Sequence, residues 1–152
     1  MRISRLKRLI FALLLTAVLI TAGCSAQSPA TEDGLAMAPV SALPKEVRES
    51  SETVVEAYRF ALANADVLEE IPCYCGCGAA GHQSNYACYV KDDSNPDDIT
   101  LDGHALGCSI CVDITLDIMR MMRDGKSTAE IRAEVDQTYA KFGPSNIPTA
   151  AP

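Results

Sequence analysis

The chain has 152 residues, 48% of them hydrophobic and 22% charged, with seven cysteines and a net charge of −7. That length suits one domain. The acidic balance argues against binding nucleic acid or an anionic membrane through the fold.

The first residues are basic, Arg2, Arg5, Lys7 and Arg8, and an apolar run of 12 follows from Leu9 to Ile20. A membrane span needs roughly 18 apolar residues or more, so residues 1–23 read as a secretory signal peptide. The run leads into "TAGC", residues 21–24, which resembles the lipobox of bacterial lipoproteins. The resemblance implies cleavage before Cys24, acylation of that cysteine (palmitate among the chains), and anchoring at the cell membrane on its extracytoplasmic face. More than one acyl chain gives stable anchoring where a single chain is marginal. Without residues 1–23 the chain keeps 20 acidic and nine basic residues, a balance of −11.

Residues 24–45 are rich in Ala, Ser and Pro and read as a flexible tether. The folded unit is expected over residues 46–143, with a disordered tail over 144–152. Val47, Val54, Tyr58, Ala61, Ala65 and Leu68 keep a helical period and predict a helix from Glu46 to Glu69, stopped near Pro72. "NYACYV", residues 85–90, is expected to add a helical turn. The acidic loop with Asp92, Asp93, Asp97 and Asp98 lacks the spacing of a calcium loop and reads as a solvated turn.

A second helix is expected after Asp102 as N-cap, with Ile110, Ile114, Ile118 and Met121 as its stripe and Gly125 as its stop. Met119, Met121 and Met122 could serve as thioether ligands but read better as packing. A third helix opens on the capping box Ser127 to Glu130 and continues through Ile131, Val135, Thr138 and Phe142 to Gly143. The pattern predicts an all-α fold, a small three- to four-helix bundle with a cysteine-rich loop at one end. Such a small domain often adds disulfides or a metal to a modest core.

The chemistry concentrates in 39 residues. Cys73, Cys75, Cys77, Cys88, Cys108 and Cys111, with His82 and His104, all lie between 73 and 111, and no other cysteine beyond Cys24 and no other histidine exists. His104, Cys108 and Cys111 are spaced i, i+4, i+7, within roughly 40–60° of one another on a helix. Near a helix start the backbone dipoles favour thiolates. Cys-x-Cys spacing at 73–77 can hold a soft ion, and Gly76, Gly78 and Gly81 let the loop turn around it. If the first two helices pack antiparallel, the two groups converge.

Three readings stay open. Soft thiolates with imidazoles select Cu(I) or Zn, for one ion with ligands to spare or for a two-ion cluster. Six extracytoplasmic cysteines could instead form three disulfides that stabilise an interaction module. Cys108 and Cys111, a C-x-x-C pair at a helix start, could exchange disulfides as an oxidoreductase acting on a redox protein partner. Enzyme status rests on that last reading alone, because no phosphate loop or hydrolase triad order is present.

"PCYCGC" at 72–77, "GH" at 81–82, "CYV" at 88–90 and "GHALGCSICVD" at 103–113 resemble the bacterial lipoproteins with a PCYCGC motif. The resemblance covers the folded unit, signal and lipobox, and implies a membrane-anchored extracytoplasmic protein. Residues 108–143 are also similar to the helical thiol-redox subunits of cytochrome c maturation, where Cys108 and Cys111 would map to the redox pair. Leu106-Gly107 stands where that family has Leu-Arg.

Overall fold

A computed structural model describes residues 30–147. The signal segment, Cys24 and the last residues of the tail lie outside that range. The described elements are strands β1 (Ala30–Glu32) and β2 (Leu35–Met37), then helices α1 (Lys45–Arg48), α2 (Glu52–Ala63) and α3 (Ala65–Glu70). Strands β3 (Val90–Asp92) and β4 (Thr100–Leu101) follow, then helices α4 (His104–Gly107), α5 (Ser109–Arg123) and α6 (Thr128–Tyr139). Short 3-10 turns lie at Val40–Ala42, Cys77–Ala80 and Tyr86–Cys88. The fold is therefore mixed α/β, with two small antiparallel hairpins beside the helices, and the all-α expectation is corrected.

The first hairpin replaces part of the expected tether. Ala30 pairs with Met37 and Glu32 with Leu35, around Asp33 and Gly34 at φ 49° and 83°. Asp-Gly with both φ positive is the two-residue turn whose twist matches antiparallel strands. Composition hid this local signal. Alternation then turns Leu35 and Met37 into the core, and Leu43 is buried after them. Arg59 of α2 clamps the hairpin: its guanidinium meets both Glu32 carboxylate oxygens at 2.5 and 3.0 Å, and its Nε donates to Ala38 O at 2.7 Å.

The expected first helix is three helices. The break before α3 falls at Asn64, whose backbone is non-helical at φ −137°, ψ 47°. Its side-chain amide donates to Phe60 O and to Ala36 O, at 2.8 and 2.9 Å. A short amide side chain competes for backbone partners and so breaks helices readily. The apolar period runs on through the break, so it gave no warning.

The second expected helix is likewise divided, at Cys108, which is extended at φ −125°, ψ 100°. The N-cap is Gly103 rather than the expected Asp102, although Asp102 Oδ1 accepts the His104 backbone N–H at 2.7 Å. After Arg123 the chain closes in a Schellman arrangement, with Gly125 N–H on Met122 O and Lys126 N–H on Met121 O, both 3.0 Å. The expected capping box of α6 is present. Thr138 and Phe142, however, are exposed. Tyr139 takes the core position instead, with its hydroxyl on Asp117 Oδ2 at 2.8 Å. The "NYACYV" stretch is a 3-10 turn running into β3.

The core lies where α2 packs on α5, with α6 and β2 against them. Tyr58, Phe60, Ile114, Ile118 and Met119 are fully buried there, so Met119 and Met121 are packing residues. Asp92 Oδ1 accepts the Ser94 N–H and Asp93 accepts the Tyr86 hydroxyl, which makes the acidic loop a self-bonded turn. Among the described residues no helix is long and apolar enough to cross a membrane. Ile118→Ala should cost about 3 kcal/mol and lower the melting midpoint by on the order of 10 °C. Thermal unfolding followed by circular dichroism checks this, and an unchanged midpoint would contradict the burial of Ile118.

Candidate metal centre

The centre forms where α3 ends. Ile71 is extended, at φ −98° and ψ 127°, and the segment after it places Cys73 and Cys75 on one side by simple alternation. Tyr74, between them, reaches the other way and donates its hydroxyl to Asp136 Oδ1 of α6 at 2.6 Å. Gly76 and Gly81, at φ 84° and 91°, bracket the 3-10 turn that carries Cys77. Both positions need the left-handed conformation that glycine adopts at no steric cost.

The second set of donors comes from α4 and α5. The break at Cys108 makes it the N-cap of α5, so Cys111 sits in that helix's first turn. There the unpaired N–H groups and the dipole favour negative charge on sulfur. His104 begins α4, and Cys88 closes a 3-10 turn held by Asn85 N–H on Ile71 O at 2.7 Å. The three residues expected along a single helix thus come together across a break between two.

All eight donors meet at this end of the molecule. The Cys73 sulfur lies 3.4 Å from both Cys75 and Cys111, and Cys75 lies 3.6 Å from Cys111 and 3.4 Å from His104 Nε2. Cys77 and Cys88 are 3.7 Å apart. Cys75, His104, Cys108 and Cys111 form one group with donor atoms all within 4.8 Å of one another, and Cys77, His82, Cys88 and His104 form another. Cys73 belongs to two three-sulfur groups, with Cys88 and Cys111 and with Cys75 and Cys77. Sulfurs on a tetrahedron about 2.3 Å from an ion are about 3.8 Å apart, so these spacings fit shared coordination. All six thiols are free. Cys73 touches two sulfurs equally, which describes a cluster rather than a pair.

The sulfurs share little negative charge among themselves. Hydrogen bonds from the Cys111 and Cys88 thiols hold Cys73 far below the ordinary thiol range, at about 2. Burial pushes Cys75 and Cys77 up, and donation to Cys73 pushes Cys111 up. Cys88 also ends high, because its hydrogen bond to Cys73 and its burial outweigh the one from Cys111. Crowding and burial of several sulfurs disfavour more than one negative charge among them. A bound cation would reverse that by stabilising further thiolates.

The histidines carry the second signature of a ligand site. His82 Nε2 faces Asp102 Oδ2 at 3.5 Å, while its Nδ1 is buried without a hydrogen-bond partner. An imidazole braced by a carboxylate on one nitrogen and bare on the other is how ligating histidines are usually held. The other Asp102 oxygen accepts the backbone N–H of His104 at 2.7 Å and so fixes the start of α4 rather than the His104 ring. The rings meet edge to face at 4.9 Å.

Several supporting residues had no signal in the sequence. Asn146, in the expected loose tail, pairs its backbone N–H with Cys73 O at 3.1 Å and accepts the Cys73 N–H at 2.7 Å. Its amide also donates to Ser84 O at 3.1 Å and to the Cys77 sulfur at 3.5 Å. Gly143 lets the tail pass: a Cβ there would stand 2.8 Å from Tyr74 O. The tail is therefore docked as far as Ile147, which corrects the disorder expected from residue 144. Behind Cys111, Thr115 accepts the Asn85 amide at 2.8 Å, and Tyr89 lies 2.7 Å from Thr115 Oγ1 and donates to Cys111 O at 2.9 Å.

Cys75 and Cys108 are half-buried, whereas Cys73, Cys77, Cys88 and Cys111 are buried. Cys108 opens on a groove of about 350 Å³ lined by Ser51, Val54, Leu106, Val112 and Leu116 among others.

The family model described as "Protein of unknown function with PCYCGC motif" matches residues 13–152. No curated protein and no solved structure matches the chain.

In the reduced, metal-free protein an alkylating reagent should modify two thiols besides Cys24 quickly and the other four only after denaturation. Peptide mapping should place the fast pair at Cys75 and Cys108. Six equal rates would contradict the buried cluster.

Proposed function

This chain belongs to the PCYCGC-motif family, and we propose that it is a lipid-anchored, extracytoplasmic protein that holds a thiophilic d10 ion, Cu(I) or Zn, in its Cys/His cluster. The observation that carries this reading is a buried, unpartnered His82 Nδ1 on a ring that faces Asp102, in a residue that shares one donor group with the free Cys77 and Cys88 thiols. A buried polar atom with no partner costs on the order of 1–3 kcal/mol, and a metal bond removes that cost.

Two donor patterns bear on which ion is held. The four-donor groups suit the tetrahedral preference of Zn. The three-sulfur groups around Cys73 suit the lower coordination that Cu(I) accepts among soft thiolates. Half-exposed Cys108, which lines the groove, gives an incoming ligand a point of attack there, and Cys75 is also half-exposed. That favours handing the ion to, or taking it from, a partner at the membrane over burying it as a permanent staple. The anchor at Cys24 would keep such a partner within reach.

Thiol–disulfide exchange at Cys108 and Cys111 is less well supported. Cys111 is fully buried and already in contact with Cys73 and Cys75, so its oxidation would draw on the whole cluster rather than an isolated pair.

Full-length protein purified in detergent without oxygen, from cells supplied with both metals, should contain bound Cu or Zn by elemental analysis. Cys75→Ser and Cys108→Ser should each lower that content. Full metal in both variants would remove these residues from the ligand set, and no metal in the parent would end the reading. Asp102→Asn should weaken binding by about 10- to 100-fold in a competition titration against a chromophoric chelator, with the variant still folded.

A further inference from the structure

The metal reading leaves the number of ions open, and the positions of the eight donors decide it. Each ion of tetrahedral preference needs four donors. Cys75, His104, Cys108 and Cys111 make one complete set, with His104 Nε2 3.4 Å from the Cys75 sulfur. Cys77, His82 and Cys88 make most of a second, whose fourth geometric member is again His104. One Nε2 cannot complete both sets. Cys73 resolves the conflict, because its sulfur falls within 4.8 Å of Cys77 in one group and of Cys88 in another.

Resting on the metal reading, we infer that the cluster is two adjacent four-donor sites, each holding one ion. The first is Cys75, His104, Cys108 and Cys111. The second is Cys73, Cys77, His82 and Cys88. The division uses all six thiols and both imidazoles once, with none spare and none shared. Each site receives three sulfurs and one nitrogen, a common ligand set for zinc.

Separate supports match the separate sites. The second is braced by Asp102 on His82 and by the Asn146 amide on Cys77. The first is braced by the Tyr89 hydroxyl on Cys111 O and by the N-terminal turn of α5. The contacts of 3.4 Å from Cys73 to Cys75 and Cys111 set the two sites edge to edge. The sites also differ in access. The first contains both half-exposed thiols, Cys75 and Cys108, and the second contains only buried ones. The first therefore exchanges its ion with the groove, while the second retains its own.

The test is zinc stoichiometry on the full chain in detergent, reduced and metal-free, by native mass spectrometry after Zn²⁺ addition. The expected result is two zinc ions per chain. Cys108→Ser, His82→Ala and Cys73→Ser should each leave one. A chelator should strip one ion of the parent at least tenfold faster than the other, and the fast ion should be the one missing from Cys108→Ser. Alkylation of the loaded parent gives a readout that needs no variant: all six cluster thiols should be protected. A single zinc ion with three or more reactive cluster thiols would overturn the two-site division and leave the metal reading standing. Uptake of Cu(I) but no zinc would do the same. Uptake of neither metal would overturn both. Circular dichroism of each metal-free variant identifies one that fails to fold, and the thiol count of the parent then decides the question alone.

Discussion

The contact on which this end of the molecule depends is that of Cys73 with two other sulfurs, each 3.4 Å away and 3.6 Å from one another, inside a largely apolar interior. Thiols gain little from one another there, and a bare thiolate is costly to bury. The arrangement persists because rigid pieces hold it. The Asn146 backbone and side chain pin Cys73. Tyr74 ties the same loop to α6, and the Thr115, Tyr89 and Asn85 network fixes the turn that carries Cys111. A crowded set of donors held in place before any ion arrives is what selective binding requires, since little ordering remains to be done on binding.

The hairpins and helix breaks serve the same end. β1 and β2 cover the core beside α2, clamped by Arg59. That leaves the opposite end, where α3 stops and α4 starts, free to be built from loops. Asp102 follows directly on β4, with its N–H on Tyr89 O at 2.8 Å and its own carbonyl accepting the Tyr58 hydroxyl at 2.6 Å. Its carboxylate is thereby fixed between the His82 ring and the His104 backbone N–H. The polar bracing of the site is thus continuous with the apolar packing of Tyr58 against Tyr89, whose rings meet edge to face at 4.9 Å.

The helical stripes through Tyr58, Ala61, Leu68, Ile114, Ile118 and Val135 were legible because period 3.6 records which face is buried. The breaks at Asn64 and Cys108 were not. The period continues across them, and each break brings in a partner distant in sequence: Ala36 O for Asn64, and the Cys75 donor for Cys108. The first hairpin carried a local signal in Asp33-Gly34 that an Ala- and Pro-rich composition obscured. Asn146 carried none, because what places it is the space Gly143 leaves beside Tyr74 O.

By itself, then, the sequence determined that six cysteines and two histidines, the candidate ligands, lie within one short segment. It also determined the faces of the main helices and the cap and stop residues at Ser127 and Gly125. These are properties of spacing and of residue type, and they need no knowledge of what lies opposite. Tertiary structure alone decided which sulfur faces which, that Asp102 faces the His82 imidazole, that His82 Nδ1 is left bare, and that Asn146 of the tail meets the loop. Those facts arise where residues from 11 to 73 positions apart come into contact. A one-dimensional pattern records the burial of a face but not the identity of its neighbour.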